Sequence, residues 1–190
     1  MLIQKRMLTL SGLSVLLALS GGCGYSMTSS LDEKYQTIHV AAFKNQSREY
    51  DLQAPLTNAI IRKFLHDGRL RVVGPSEADL VVDGSIMDYI LRGLSFDRND
   101  DVTQFEMLIV ARVQVTDTRT GDVLWKEQNM IGETSFATAF TGASADRLRG
   151  NTQVFLPTVR SFQTDEENQA AAEALARLAT DIFYRTIEPW

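Results

Sequence analysis

Cysteine is almost absent from this sequence, since Cys23 is the only one among 190 residues. A single cysteine excludes a disulfide within the chain and any metal site built from several thiolates. Histidine is nearly as scarce, and neither His39 nor His66 is accompanied by a cluster of carboxylates or thiols. Both are therefore interpreted as ordinary surface or strand residues rather than as metal ligands. We predict no metal and no cofactor.

Basic residues are in the minority, with 19 Lys and Arg against 24 Asp and Glu, for a formal net charge of -5. This balance argues against nucleic acid as a partner. Signatures of catalysis are missing as well. No glycine-rich phosphate loop is present, and Ser144 does not stand in a strand-turn-helix nucleophile elbow. The acidic run at residues 97–101 lacks the glycine and glutamate of an EF-hand loop, so it is interpreted as a hairpin tip. We predict that the chain is not an enzyme.

The N-terminus is the one place with a long apolar run. Lys5 and Arg6 precede the uncharged residues 7–19, and small residues follow at positions 20–22. This order is typical of a cleavable secretion signal, and the apolar core is shorter than the ~20 residues that cross a bilayer. A short buried helix is the alternative, although such a helix normally shows polar positions on one face.

The segment "LSGGC" resembles the bacterial lipobox, in which a small residue precedes the cysteine that is lipidated. The thiolate of Cys23 would be the nucleophile that accepts the lipid. The segment departs from the usual pattern, because Ser20 stands where Leu is common and Leu19 lies one position earlier. A free buried cysteine is the alternative. We predict a signal peptide at residues 1–22, a lipidated tether at 23–34 and a single domain at 35–190.

The domain begins with a predicted strand at residues 35–43, where Ile38, Val40 and Ala42 recur at every second position. A polar loop and a helix follow. Pro55 suits the first turn of this helix and Gly68 suits the residue just past its end. Its apolar stripe consists of Leu56, Ala59, Ile60 and Phe64.

Four further strands are predicted from the apolar pattern. A short strand around residues 69–74 precedes one at 78–93, in which Leu80, Val82, Ile86 and Ile90 share a phase and Gly84 indicates a bulge or a close approach. The clearest strand is next, and it belongs to an antiparallel sheet with one covered face. Its apolar face consists of Phe105, Met107, Ile109, Ala111, Val113 and Val115. A turn at Gly121 leads to the last strand.

The final predicted element is a helix that starts with a capping box of Thr164 and Glu167. Before it lies a loop at residues 135–163, which is long enough to be functional or to cover the core with its phenylalanines. The order β-α-β-β-β-β-α predicts a two-layer α/β sandwich, with two amphipathic helices packed on one face of a small mixed sheet.

Several segments follow one another in a characteristic order: "CGYSM", "IHVAAF" with Asn45 soon after, a helix, "ADLVVDGSIMDY", a long strand, "DTRTGDVLW" and a final long helix. Taken in this order, they resemble the lipopolysaccharide-assembly lipoprotein family LptE over nearly the whole mature chain. Single segments also occur in the N-terminal domain of TolB and in lipoproteins related to CsgG. Another envelope lipoprotein with a partner-binding module of that kind is therefore the alternative.

The resemblance to LptE implies a lipid-anchored outer-membrane protein that sits inside the LptD β-barrel. It implies assistance to barrel assembly and to lipopolysaccharide transport, with lipopolysaccharide as a ligand. The family's basic residue on the hairpin before the long strand matches Arg98, in "RND" ahead of "FEM". A second basic residue, before the last helix, has Arg160 as its nearest match. A solvent-exposed arginine without a ligand is the alternative for both.

Overall fold

The computed structural model describes residues 31–98, 102–137 and 165–188. Cys23, Thr164 and Arg160 lie outside the described residues. The strands in chain order are β1 (Thr37–Val40), β2 (Lys44–Asn45), β3 (Arg71–Val72), β4 (Leu80–Phe96), β5 (Val102–Asp117) and β6 (Val123–Ala137). The helices are α1 (Gln53–Asp67), between β2 and β3, and α2 (Asp165–Ile187), after β6.

The strands form one mixed sheet in the order β3-β1-β4-β5-β6, with β2 also paired to β4. Strands β1, β2 and β3 run parallel to their neighbours, whereas β4, β5 and β6 form an antiparallel meander. Both helices pack on the same face, where the rings of Phe64 in α1 and Phe183 in α2 meet edge to face with centroids 5.2 Å apart. The predicted two-layer α/β sandwich is confirmed.

Strand β5 confirms the clearest prediction from the sequence. All six apolar side chains of its predicted inner face are buried, from Phe105 at one end to Val115 at the other. The predicted apolar stripe of α1 is buried as well, with the side chains of Leu56, Ile60 and Phe64 fully enclosed. Gly68 ends α1 in a left-handed conformation with φ of 75°, as the sequence indicates.

The first predicted strand is interrupted. Only residues 37–40 form β1, and the predicted polar loop after it contains β2. At the break, the backbone N–H of Phe43 donates to Oγ1 of Thr57, and the Phe43 side chain is buried. Its ring lies against Gly84, where a Cβ atom would meet the ring and the carbonyl oxygen of Arg112. The predicted close approach at Gly84 is therefore confirmed.

The predicted phase of β4 is wrong beyond Ile86. A β-bulge lies between Ile86 and Asp88, so one extra residue, Met87, shifts the alternation. Beyond it, Tyr89 pairs with the buried Ile109 and packs on the core. Ile90 pairs with Leu108 and belongs to the opposite face.

The loop predicted at residues 135–163 starts later than expected. Residues 135–137 continue β6. Phe136 pairs with Phe105, and their rings stack with centroids 5.7 Å apart. The rest of this predicted loop lies outside the described residues. The Glu167 side chain, predicted to cap α2, accepts a hydrogen bond from the Tyr89 hydroxyl at 2.8 Å and so ties the start of α2 to β4.

The chain enters the domain at a polar cluster beside the β5–β6 turn. Oδ2 of Asp79 accepts hydrogen bonds from the backbone N–H groups of Gln36 and Thr37, and these bonds hold the pKa of Asp79 below its usual value. Asp117 accepts from the backbone N–H of Arg119 and from the Tyr35 hydroxyl, which lowers its pKa in the same way. The cluster fixes the first described residues to this end of the sheet.

Candidate functional site

The candidate site is the far end of the β4–β5 hairpin, opposite the end at which the chain enters. The first turn of α2 reaches the hairpin at Tyr89, and all described residues from position 92 to 98 are exposed. Strand pairing becomes irregular here, with register shifts between Gly93 and Ser95 and between Ser95 and Phe96. Strand β6 lies along the other side of β5 as far as the Gln104–Ala137 pair, so only the last pair of the hairpin, Phe96 with Val102, extends beyond it among the described residues.

Arg98 lies two residues beyond the end of β4, in the turn, and its side chain is exposed. No described residue forms an ion pair or hydrogen bond with its guanidinium. The neighbouring Arg92 differs, because it lies 3.7 Å from the Glu106 carboxylate across the strand pair. Arg98 is thus placed where the sequence predicts it, with its hydrogen-bond donors available to a ligand.

Two apolar side chains near Arg98 were missed by the sequence analysis. Leu94 is 48% exposed and Phe96 is 58% exposed, among the most exposed large apolar residues described. The sequence prediction ended β4 at Gly93, whereas the strand continues to Phe96. A Cβ atom at Gly93 would come within 3.1 Å of the Phe96 ring, so the glycine makes room for that ring. The signal was the apolar-polar-apolar run "LSF" directly after the glycine.

The structure does not place the other predicted site residues. Arg160 and Cys23 lie outside the described residues, as do Asp100 and Asp101 of the acidic turn. Asp97 is exposed and does have an interaction partner. That Arg98 and Arg160 bind the same ligand therefore stays a prediction.

The two histidines lie in different elements, His39 in β1 and His66 in α1. Nδ1 of His39 is 3.0 Å from the carbonyl oxygen of Val73, a contact that supports the β1–β3 pair. His66 is exposed on α1. Within residues 31–98, 102–137 and 165–188, no group of three or more His, Cys, Asp or Glu residues is arranged to hold a metal ion. Among the same residues, no helix is long and apolar enough to span a bilayer.

The family model described as "LptE: Lipopolysaccharide-assembly" matches residues 35–186. The chain belongs to the LptE family. The match covers β1 through almost all of α2, including the β4–β5 hairpin and the core between the layers. The family resemblance inferred from the order of the sequence segments is therefore confirmed. No curated protein matches the chain.

Solved structures with a similar arrangement come from several bacteria. The hypothetical protein CT253 from Chlamydia trachomatis is 14% identical, with a TM-score of 0.48, and the match covers 80% of this chain and 98% of that one. A minor lipoprotein from Acinetobacter baumannii is 10% identical, with a TM-score of 0.48, covering 80% and 90%. A putative lipoprotein from Caulobacter crescentus is 12% identical, with a TM-score of 0.46, covering 79% and 87%.

Proposed function

We propose that this LptE-family chain is an outer-membrane lipoprotein that partners an LptD-like β-barrel. In this role it assists assembly of the barrel and the transport of lipopolysaccharide to the cell surface, without catalysing a reaction. The observation that carries the proposal is the family match over residues 35–186, which spans the whole described sheet.

Lipopolysaccharide binding is proposed for the end of the β4–β5 hairpin. Lipopolysaccharide carries phosphates and carboxylates, and a guanidinium binds such groups through two parallel hydrogen bonds. Arg98 is exposed and unpaired among the described residues, so it can reach a phosphate without distortion of the sheet. Arg160 is proposed as a second cation. A few local arginines suffice even though the whole chain is acidic.

Substitution Arg98→Glu is expected to weaken lipopolysaccharide binding about tenfold or more, because a charged hydrogen bond contributes roughly 1.5–3 kcal/mol. The melting temperature should hardly change, since Arg98 is exposed. The measurement is a titration of the chain from Gly24 onward with purified lipopolysaccharide, at low and physiological salt, because screening weakens exposed ion pairs.

The matched control for this titration is Lys126→Glu, which makes the same charge change at an exposed position of β6 that is paired with Gln114, away from the hairpin end. It should bind as wild type does. If Arg98→Glu and Lys126→Glu lose affinity equally, the effect is one of net charge, and the hairpin site is wrong.

Lipidation of Cys23 is proposed as the means of membrane attachment. Labelled palmitate should enter the wild-type chain and be lost in Cys23→Ala, because no other thiol is available as acceptor. Variant Ser20→Leu restores the usual lipobox leucine and should be labelled at least as well as wild type. Equal labelling of wild type and Cys23→Ala would refute the lipoprotein assignment.

A further inference from the structure

An apolar cluster, called here the hairpin cluster, extends from the core to the end of the β4–β5 hairpin. Its side chains come from three neighbouring strands and are those of Phe96, Val102, Phe105 and Phe136. The rings of Phe105 and Phe136 stack with centroids 5.7 Å apart. Phe105 is 3% exposed, whereas Phe96, in the last described pair of the hairpin, is 58% exposed. The cluster therefore begins in the core and ends in an open aromatic ring.

Glycine at position 93 allows the Phe96 ring to lie on the same face of the sheet as Phe105. Gly93 pairs with the buried Phe105, so a Cβ atom at Gly93 would point to the side of the sheet that carries the helices. Such an atom would come within 3.1 Å of both the Phe96 ring and the Val102 side chain. These two side chains therefore meet over the glycine and extend the apolar surface past Phe105.

The helix layer ends short of Phe96 among the described residues. Helix α2 reaches β4 at Tyr89, through the hydrogen bond to Glu167, and Phe96 lies seven residues farther along the strand. At about 3.3 Å per residue, the ring lies roughly 20 Å beyond that contact. The proposed barrel partner supplies little apolar surface in its place, because the interior of a transmembrane β-barrel is polar. The ring is thus left for an apolar ligand.

A cation stands beside the open end of the hairpin cluster. Arg98 lies two residues after Phe96, and its exposed guanidinium has no partner among the described residues. The neighbouring Arg92 faces the opposite side of the sheet, where it lies 3.7 Å from the Glu106 carboxylate. Leu94 is 48% exposed and adds a second open apolar side chain. Exposed apolar side chains next to a cation match an amphiphile that carries acyl chains and anionic groups in one molecule.

We propose that the hairpin end binds the lipid A portion of lipopolysaccharide, with Arg98 on a phosphate and with Phe96 and Leu94 against an acyl chain. The proposal rests on the lipopolysaccharide binding proposed above, and it names the part of that ligand that the site recognises. In lipid A the same two sugars carry the phosphates and the acyl chains, so one hairpin end can contact both groups. The site would then select the acylated end of the molecule over its phosphorylated core sugars.

The test compares lipopolysaccharide with and without its acyl chains. All described core residues lie between Leu31 and Ile187, so the chain from Gly24 onward keeps the whole described core. This chain is titrated with purified lipopolysaccharide and with the same material after strong alkali has removed the acyl chains and left the phosphates and sugars. The double variant Leu94→Ser, Phe96→Ser removes the apolar contact, and Arg98→Glu reverses the charge.

The matched control is Tyr184→Ser, which removes an aromatic side chain of similar exposure, 54%, from α2. Tyr184 is next to Arg185, which binds Glu127 of β6 at 3.0 Å, away from the hairpin end. This control should bind both forms of lipopolysaccharide as wild type does.

We expect wild type to bind intact lipopolysaccharide about tenfold more tightly than the deacylated form, or better. The double variant should lose about tenfold in affinity for the intact form, as expected when a phenylalanine is no longer buried against an apolar chain. Its affinity for the deacylated form should equal that of wild type. Arg98→Glu should weaken the binding of both forms. Because Leu94 and Phe96 are exposed, the melting temperature of the double variant should fall by no more than about 4 °C.

Four results would overturn the acyl-chain proposal. Wild type might bind both forms equally, or the double variant might bind the intact form as wild type does. Equal losses for both forms in the double variant would mean that the two side chains shape the hairpin, and a large fall in melting temperature would mean that they pack inside the chain. None of these results refutes the phosphate contact of Arg98. A wild-type chain that binds neither form would refute lipopolysaccharide binding itself, and the acyl-chain proposal with it.

Discussion

Substitution Ile109→Asp is expected to unfold the domain. Ile109 lies in the middle of β5, paired with Tyr89 on one side and Gly132 on the other, and its side chain is completely buried. Aspartate at this position loses the apolar contacts and buries a charge without a partner. We expect the free energy of unfolding to fall by about 5 kcal/mol or more. This is comparable to the ~5–15 kcal/mol that stabilises a whole domain.

The measurement is urea unfolding followed by circular dichroism, with Glu106→Gln as the control on the opposite face of the same strand. Glu106 interacts with Arg92 at 3.7 Å, and that arginine is largely exposed. Exposed ion pairs contribute roughly 0–1 kcal/mol to stability, so the unfolding midpoint of this control should stay close to that of wild type. Should Ile109→Asp and Glu106→Gln unfold at similar urea concentrations, the assignment of the two faces of β5 is wrong.

Substitution Gly132→Val is expected to loosen the contact between the two layers. A Cβ atom at Gly132 would clash with the backbone carbonyl oxygen of Ala174 and would meet Cβ of Leu178, both in α2. A backbone carbonyl cannot rotate away as a side chain can, so α2 must shift. Overpacking of this kind costs about 2–3 kcal/mol, which corresponds to a fall in melting temperature of roughly 5–10 °C.

Gly74→Ala is the matched control for Gly132→Val. Apart from Gly74 itself and its two chain neighbours, no residue has an atom within 4 Å of a Cβ at Gly74, so alanine there should change the melting temperature little. Thermal unfolding of both variants checks the close packing of α2 on β6. A Gly132→Val variant that melts with wild type would mean that α2 does not pack against β6 at Gly132.

The antiparallel half of the sheet could be predicted from the sequence because apolar and polar residues alternate regularly along its strands. Alternation in β5 is unbroken over six apolar positions, and all six are buried. The phase of β4 could not be predicted past Ile86, because the bulge at Met87 depends on the partner strand rather than on local composition. For the same reason the two-residue strand β2 was missed, since only its pairing with Ser85 and Ile86 defines it.

The hairpin that holds the candidate site could be predicted from the sequence, whereas the apolar side chains beside Arg98 could not. Polar residues between two strong strands indicated a hairpin turn, and the family resemblance singled out Arg98 within it. The exposure of Leu94 and Phe96 could not be predicted, because it follows from the length of β4 relative to the helix layer.

The partnership with a barrel is the central claim, and capture of the mature lipoprotein from native membranes tests it most directly. The chain, tagged at its C-terminus, is extracted in mild detergent without heating, and the proteins retained with it are identified by mass spectrometry. We predict that a large LptD-like outer-membrane β-barrel is retained in stoichiometric amount, together with lipopolysaccharide. Recovery of the chain alone, or with a different envelope protein in its place, would contradict the account.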